Sequence, residues 1–240
     1  MRDMFSTIAP RYDFITRAFS YGMDRRWKRL AVDRAQLSPF VRVLDLACGT
    51  GDFAKLIYAH NPDARVVAAD LTERMLRHAN IRHAVCADAA SLPFSDRTFD
   101  AIFVGYGLRN FPHLEYVLRE VHRLLKPGGV LVSLDFFLPG RAWMRRSYLT
   151  YLYLQGAFWG VVLHGRARVY TYIPDSLRSF VSAEKYSSLL QAVGFVEVTA
   201  RTFLLGGIAL HWAKKPAQRC GPAMIAIDHF YRKSLRANCL

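Results

Sequence analysis

The sequence predicts an α/β protein whose sheet is mainly parallel, and two features indicate this fold class. An apolar run over 43–46 leads into a turn that contains Gly49 and Gly51, and a helix is expected to begin at Asp52. Strand-like and helical stretches then alternate along residues 41–135, which is the order that favours parallel pairing. The turn after the first strand lies where such sheets bind their ligands.

Each strand is predicted from a short apolar run bounded by turn residues. The first five are expected at 41–46, 65–70, 83–87, 99–104 and 130–135. A helix is expected over 114–125, and the turn at 126–129 (KPGG) should end it and start the fifth strand. After a helix over 183–193, strands at roughly 196–204 and 207–213 should form an antiparallel hairpin. The expected sheet therefore has seven strands, with helices on both faces.

The composition is typical of one cytoplasmic enzyme domain. A chain of 240 residues with 52% hydrophobic content can bury a single sizeable core. Its four cysteines are scattered without a Cys-x-x-Cys pair, so neither a metal site nor a disulfide framework is predicted, and a reducing compartment is the default. The N-terminal residues lack the charged and then apolar pattern of a secretion signal.

The glycine turn and the acid after the next strand together predict a nucleoside site. Small residues at Ala47, Gly49 and Gly51 allow a ligand to approach the backbone. Asp70 ends the second strand and can accept hydrogen bonds from ribose hydroxyls. A dinucleotide fingerprint would need a third glycine, which is missing. The run 44–52 (LDLACGTGD) instead resembles motif I of the class I S-adenosylmethionine (SAM) methyltransferases; the alternative is an ordinary strand-to-helix turn.

The net charge of +14 indicates a polyanionic partner, either nucleic acid or an anionic membrane. Residues 141–180 hold six arginines against one acid, Asp175, and many aromatic residues lie among them. Between these arginines the uncharged stretch 147–163 is predicted to be a lid or an interfacial segment, with a buried core helix as the alternative. Nucleic acid is disfavoured, because 104–107 (VGYG) lacks the Asn/Asp-Pro-Pro-aromatic motif common in RNA base methyltransferases.

Several segments resemble the ubiquinone/menaquinone C-methyltransferases of the UbiE/MenG type, over about residues 4–213. The specific segments are 5–13 (FSTIAPRYD), 20–22 (SYG), 107–110 (GLRN) and 206–211 (GGIALH), whereas motif I and LKPGG are shared by many methyltransferases. The resemblance implies a Rossmann-like fold and methyl transfer from SAM to a ring carbon of a polyprenylated quinol in menaquinone or ubiquinone biosynthesis. The chain departs from the family at Thr16, where asparagine is usual, and at Gly105, where serine is frequent.

Candidate cofactor contacts lie at or directly after the ends of the first four strands. They are Asp45, Ala47, Gly49, Thr50, Gly51, Asp70, Leu71, Asp88, Ala89 and Gly105. Among these, the contacts of Thr50, Asp70, Asp88, Ala89 and Gly105 are what the family resemblance implies. A metal is not expected, because a sulfonium methyl group is already electrophilic.

The candidate catalytic residues are Arg109, Asn110 and Tyr12. The enzyme must align the acceptor carbon and stabilise charge on the neighbouring phenol oxygen. Arg109 and Asn110 follow the fourth strand and are expected to orient the quinol or a bridging water; the alternative for Arg109 is a structural ion pair. Tyr12 is expected near the methionine part of SAM or the quinol, with simple packing as the alternative. His211 is a weaker candidate for the proton acceptor, because a histidine in an apolar hairpin more often packs.

The expected organisation is a methyltransferase domain over 1–213, with an N-terminal helical cover (1–38) and a lid (139–180), followed by a basic tail (214–240). In the tail the spacing of Met224, Ile227, Tyr231 and Leu235 predicts an amphipathic helix on an anionic membrane. The expected location is the cytoplasm, with peripheral contact at the inner membrane face, and a homo-oligomer is compatible with the sequence. Two other functions stay open: a SAM methyltransferase for another amphiphile, such as a sterol or phospholipid amine, and a noncatalytic SAM-binding scaffold.

Overall fold

A computed structural model describes residues 12–217, and a seven-stranded sheet forms its centre. The strands are β1 (Arg42–Leu46), β2 (Arg65–Asp70), β3 (Ala84–Cys86), β4 (Phe99–Gly105), β5 (Leu125–Phe136), β6 (Val196–Phe203) and β7 (Ile208–Lys214). Their order is β3-β2-β1-β4-β5-β7-β6; β1 to β5 pair in parallel, and β7 is antiparallel to both β5 and β6. The predicted fold class, including the final hairpin, is confirmed.

Helices cover both faces of this sheet. They are α1 (Tyr12–Phe19), α2 (Asp24–Ala35), α3 (Asp52–His60), α4 (Glu73–Ala79), α5 (Leu114–Leu124), α6 (Ala142–His164), α7 (Arg168–Arg178) and α8 (Ala183–Val193). Successive strand residues point to opposite faces, so Val43 belongs to the core under α2, α3 and α7, whereas Leu44 belongs to the core under α5 and α8. The predicted tail lies mostly outside the described residues.

The fifth strand differs from its predicted form. Leu125 already pairs with Phe99, and the ladder resumes at Val130 opposite Ala101, so residues 126–129 bulge out of the strand. Gly128 has a φ of 79°, a left-handed conformation that glycine adopts without strain. The KPGG segment therefore interrupts β5 from within, rather than separating the helix from the strand.

The stretch 147–163 lies within α6, which has one buried side and one exposed side. On one side Leu152 and Gly156 are buried; a Cβ on Gly156 would lie 2.9 Å from the carbonyl oxygen of Tyr170 in α7. On the other side large apolar side chains are exposed. The Tyr148 hydroxyl donates to the Gly207 carbonyl at 2.8 Å, which fixes α6 across the start of β7.

Candidate active site

A cavity of about 210 Å³ opens at the carboxyl ends of β1, β2 and β4; we call it the edge cavity. Parallel sheets bind ligands at this edge. The lining residues are Leu46, Ala47, Gly49, Asp70, Leu71, Thr72, Met75, Ala87, Asp88, Ala89, Gly105, Tyr106, Gly107, Asn110, Phe111 and Pro112. The wall is mainly apolar, and its polar side chains include those of Asp70, Asp88 and Asn110.

Asp70 is oriented by the backbone on both sides of it. One carboxyl oxygen, Oδ1, accepts from the Thr72 amide at 2.8 Å, and Oδ2 accepts from the Gly49 amide at 2.9 Å. Burial raises the pKa of Asp70, and these hydrogen bonds oppose the rise. Each oxygen of a carboxylate has a second lone pair. Asp70 therefore ties the motif I turn to the end of β2 and still has acceptor capacity for a ligand.

The wall between β1 and β4 is formed by backbone. Ala47 and Tyr106, which directly follow these strands, have φ values of 53° and 58°. A Cβ on Gly107 would lie 2.7 Å from the Cβ of Ala47, and one on Gly105 would lie 2.8 Å from the ring of Phe53. A side chain at position 105 would displace that ring. The packing of Phe53 thus explains why glycine suits the position at which the family often has serine.

The predicted cofactor residues fall into two groups. Ala47, Gly49, Asp70, Leu71, Asp88, Ala89 and Gly105 all line the edge cavity.

Asp45, Thr50 and Gly51 do not line that cavity but lie behind it. Asp45 Oδ2 accepts from the Ala54 amide at 2.9 Å, in the first turn of α3, and burial raises the pKa of Asp45 to about 7. Gly51, with a φ of 79°, precedes α3 and packs against Ala79. In this structure Asp45 and Gly51 support the turn, and a direct cofactor contact of any of the three residues stays a prediction.

Arg109 forms a buried ion pair. Its Nη1 atom lies 2.6 Å from Asp135 Oδ1 and donates to the Tyr106 carbonyl at 3.0 Å, and its side chain is 3% exposed. Asp135 also accepts from the amides of Leu108 and Phe136, each at 2.7 Å. Burial raises the pKa of Asp135, whereas Arg109 opposes the rise. The ion-pair alternative describes Arg109 in this structure, and the pair fixes the turn after β4.

The other candidate catalytic residues lie in different places. Asn110 lines the edge cavity, with its Nδ2 atom 3.5 Å from the Tyr106 carbonyl oxygen. Tyr12 begins α1, but its side chain lies outside the described residues. His211 is buried in β7, where Nε2 lies 3.2 Å from the Ala183 carbonyl oxygen and burial lowers the pKa to about 4. His211 is therefore a core histidine that does not line the edge cavity.

Sequence reasoning missed three large side chains in the wall: Met75, Tyr106 and Phe111. Met75 lies in the first turn of α4, close behind Asp70, and Phe111 directly follows the GLRN segment. Their positions in the sequence, close to motifs already assigned to the site, could have indicated that they line the cavity. Their residue types were not informative, because a methionine or an aromatic residue is far more often core than ligand contact.

Two further findings concern the described part of the chain. Between residues 12 and 217, no group of three or more His, Cys, Asp or Glu side chains is arranged to hold a metal ion. Over the same range, no helix combines the length and hydropathy that a membrane span requires.

Comparison with known proteins agrees with this geometry. The model of the ubiE/COQ5 methyltransferase family matches residues 1–215. The chain is 39% identical to the demethylmenaquinone methyltransferase of Thermus thermophilus over 221 residues, which are 89% of this chain and 100% of that protein. It is 40% identical to the ubiquinone/menaquinone biosynthesis C-methyltransferase of Desulfotalea psychrophila over 225 residues, covering 88% of this chain and 89% of that protein.

A solved structure of a SAM-dependent methyltransferase from Thermotoga maritima superposes with a TM-score of 0.62 at 20% identity, covering 90% of this chain and all of that one. This likeness concerns the fold, which is that of the class I SAM methyltransferases. The family resemblance predicted from the sequence is confirmed, because the family model and both relatives span most of the chain. This chain belongs to the ubiE/COQ5 methyltransferase family.

Proposed function

We propose that this enzyme methylates a ring carbon of a polyprenylated quinol with SAM as the methyl donor. The observation that carries the proposal is the edge cavity, in which a backbone-oriented carboxylate, Asp70, lies across from Asn110 and the turn that follows β4. Family membership supports the reaction type. The names of the two relatives, a demethylmenaquinone methyltransferase and a ubiquinone/menaquinone biosynthesis C-methyltransferase, support the acceptor class.

The residues of the cavity fit an adenosine group. Asp70 has acceptor capacity for ribose hydroxyls, and the exposed carboxylate of Asp88 is available after β3. Leu71, Met75 and Phe111 offer apolar walls for a flat base. SAM, when bound, supplies an electrophilic methyl group on a sulfonium. These residues would hold its adenosine part, leaving the β4 side of the cavity for the acceptor.

On the acceptor side, we assign different roles to the three candidate residues. Asn110, which lines the cavity, is assigned to orient a quinol oxygen, and Tyr12 is assigned to contact the methionine part of SAM or the quinol. Arg109 acts as a positioning residue, because its ion pair with Asp135 holds the turn on which Asn110 lies. The general base is not among the buried histidines, since the pKa of His211 is lowered and the residue lies in the core.

Membrane access belongs to the same proposal, because a polyprenyl chain resides in the bilayer. One face of α6 exposes large apolar side chains: Trp143 (65%), Tyr153 (49%), Leu154 (64%), Phe158 (58%), Val161 (57%) and Val162 (56%). Exposed arginines lie at both ends of this row, at Arg141, Arg145, Arg146 and Arg166. An apolar strip bounded by cations is complementary to an anionic bilayer surface, and each cation contributes about 1 kcal/mol there.

This α6 face is connected to the acceptor side of the cavity. The opposite side of α6 packs on α7, and α7 contributes Tyr172, which hydrogen-bonds Arg109. The Tyr148 hydroxyl links α6 to Gly207. A membrane surface bound to the exposed face of α6 would therefore lie next to the turn that carries Asn110. A prenylated ring could then pass from the lipid to the cavity over a short distance.

The acceptor is tested with a panel. The full chain is incubated with methyl-labelled SAM and, separately, with reduced demethylmenaquinone, reduced 2-methoxy-6-polyprenyl-1,4-benzoquinone, a sterol and phosphatidylethanolamine. Labelled product from one or both quinols alone is expected. Product from the sterol or the phospholipid instead would contradict the acceptor class, and SAM binding without any product would favour a noncatalytic scaffold.

Membrane contact is tested by co-sedimentation with anionic and neutral vesicles. The double variant Leu154→Ser/Phe158→Ser and the double variant Arg145→Gln/Arg146→Gln should each bind anionic vesicles less than the parent, and salt should weaken parental binding. Phe40→Ser is the matched control, because Phe40 is 69% exposed just before β1, at the opposite end of the sheet. Unchanged binding by both double variants would contradict attachment through α6. A chain that ends at Lys215 tests the proposed tail helix separately.

A further inference from the structure

Helix α1 lies against one side of α6, and the contacts between the two helices are aromatic and polar. The ring of Phe14 in α1 meets that of Trp159 edge to face, with centroids 5.0 Å apart. Just after α1, the ring of Tyr21 stacks on Tyr151 at 5.9 Å. Between these two pairs, Gln155 Nε2 donates to a backbone carbonyl of α1 at 3.1 Å. The three α6 residues are four positions apart, so a single stripe of α6 holds α1.

The exposed face of α1 continues the exposed apolar face of α6. Phe14 is 47% exposed, and Tyr21, in the turn after α1, is 59% exposed. Arg17 is exposed as well, and it lies on the same face of α1 as Phe14, which is three residues earlier. On α6, the exposed ring of Phe158 packs edge to face on Trp159, which in turn contacts Phe14. The two helices therefore present one surface of aromatic rings that includes a cation.

The position of α1 depends on packing. The helix has only eight residues, and isolated helices of that length are marginal in water. Its C-terminal end is fixed, because Phe19 is buried in the core and the Asp24 amide donates to the Ser20 hydroxyl at 3.2 Å. Towards the N-terminal end, the Phe14 ring makes a contact that is half open to solvent. Burying that ring at a lipid surface would stabilise α1 against α6.

The same stripe of α6 leads to the acceptor side of the edge cavity. The Tyr151 hydroxyl donates to Gln155 Oε1 at 2.8 Å. Tyr148, three residues before Tyr151, interacts electrostatically with Arg109, whose ion pair holds the turn after β4. Tyr12, which is proposed to contact SAM or the quinol, begins α1. The position of α1 on α6 is therefore expected to matter for turnover.

We propose that α1 and α6 bind an anionic lipid surface together, and that this binding holds α1 in place on α6 and so raises kcat. The inference rests on the proposed function and on its membrane contact through α6. It goes further, because attachment alone only concentrates a prenylated substrate near the enzyme. Lipid that favours the docked position of α1 speeds methyl transfer to a water-soluble quinol as well.

The competing explanation is that α1 is fully docked without lipid. In that case vesicles change only the local concentration of a prenylated quinol, so they alter KM and leave kcat unchanged. The two explanations therefore differ in the kcat that is measured at a saturating quinol concentration.

The test measures kcat of the full chain with SAM and a saturating concentration of a reduced quinone that carries a single prenyl unit. It is measured without vesicles, with phosphatidylcholine vesicles and with vesicles that also contain phosphatidylglycerol, which is anionic. The anionic vesicles should raise parental kcat by about threefold or more, as for a helix that is docked in a minority of lipid-free molecules. Neutral vesicles should raise it less. Hydrogen exchange of the α1 amides should slow in parallel with the rise in kcat.

Arg17→Gln removes the cation of α1 and leaves the described contacts between α1 and α6 intact. Its kcat without vesicles should stay within about twofold of the parent, and anionic vesicles should stimulate it no more than neutral vesicles do. It should still sediment with anionic vesicles through α6. Arg65→Gln is the matched control and should be stimulated like the parent, because Arg65 is an exposed arginine at the start of β2, at the amino end of the sheet.

Gln155→Leu weakens the docking of α1 and leaves the exposed face of α6 unchanged. Its kcat should fall by about fivefold without vesicles and by only about twofold with anionic vesicles, because lipid compensates for the lost hydrogen bond. Gln191→Leu is the matched control, because Gln191 is an exposed glutamine in α8.

If anionic vesicles leave parental kcat unchanged in a chain that sediments with them, the inference is overturned, and full stimulation of Arg17→Gln would overturn it too. If Gln155→Leu does not fold, Arg17→Gln decides, because Arg17 is exposed. The absence of methylated quinol under every condition would instead overturn the proposed function. A parent that methylates the quinol but does not sediment would overturn the membrane contact through α6 together with this inference.

Discussion

The two sides of the edge cavity are held together by different kinds of contact. On the β1–β2 side, the Gly49 and Thr72 amides both donate to Asp70, so two adjacent turns fix each other. On the β4–β5 side, the turn after β4 depends on Asp135, which lies 26 residues from Arg109 along the chain. The α6 helix above it depends on the bond from Tyr148 to Gly207, over 59 residues.

This difference separates the expected effects of mutation. The β1–β2 side presents backbone amides, small residues and one oriented carboxylate, so a change there should mainly alter cofactor affinity. The β4–β5 side presents a turn held by a buried ion pair, so a change there should mainly alter turnover and stability. Variants on the two sides can therefore be told apart by which measurement they change.

The largest expected effect is that of Asp70→Ala on cofactor binding. Asp70 is proposed to accept from two ribose hydroxyls at about 1.5–3 kcal/mol per charged hydrogen bond, so affinity for S-adenosylhomocysteine should fall by roughly a hundredfold or more. Glu73→Gln is the control, because Glu73 pairs with Arg77 at the surface of the next helix. If a folded Asp70→Ala chain binds S-adenosylhomocysteine with the parental affinity in calorimetry, Asp70 does not contact the cofactor.

On the opposite side, Arg109→Ala should lower turnover by about a hundredfold while cofactor affinity changes by only about twofold. Loss of the guanidinium leaves Asp135 buried without its partner, so the free energy of unfolding should fall by about 3–5 kcal/mol. Steady-state kinetics, calorimetry and denaturant unfolding measure the three quantities. Arg119→Ala is the control, because its pair with Glu115 is exposed.

If the turnover of Arg109→Ala stays within about twofold of the parent, the ion pair supports only the fold. The proposed difference between the two sides in their effects on turnover and cofactor affinity would then be wrong. If cofactor affinity falls as much as turnover, the two sides are coupled through the backbone wall, in which Ala47 and Gly107 lie so close that a Cβ on Gly107 would be 2.7 Å from that of Ala47.

The smallest expected effect concerns Asp45, the buried acid of motif I. Burial raises the pKa of Asp45 from 3.8 to about 7. A raised pKa in the folded state means that the stability contributed by the neutral carboxyl is complete below pH 4 and is lost as the pH rises through about 7. Between pH 5 and pH 8 the parent should lose about 2.6 kcal/mol of stability that Asp45→Asn does not lose. Equal pH dependence of unfolding in the two chains would contradict this assignment.

The sequence predicted the β1–β2 side well because its contacts are local. The glycine turn, the strand-end acid and the spacing between them are all visible in the run from Leu44 to Asp70, and seven predicted cofactor residues do line the edge cavity. The family resemblance supplied the reaction type. The alternation of strands and helices also predicted the mainly parallel sheet, although not the order of its strands.

The β4–β5 side was predicted less well because its contacts are distant in sequence. No local pattern shows that Arg109 meets Asp135, so its ion pair stayed one of two alternatives. The bulge at 126–129 was not predicted either, because proline and glycine after a helix are the usual signal of a turn.

The most direct test of the account is the position of the transferred methyl group. The full chain is supplied with methyl-labelled SAM and a reduced demethylated quinone in anionic vesicles, and the product is identified by mass and by carbon NMR. We expect one new methyl on a ring carbon beside a phenol oxygen, with a rate that falls in Arg109→Ala and is unchanged in Arg119→Ala. A methyl found on oxygen, or no methylated quinol at all from a chain that binds SAM, would contradict it.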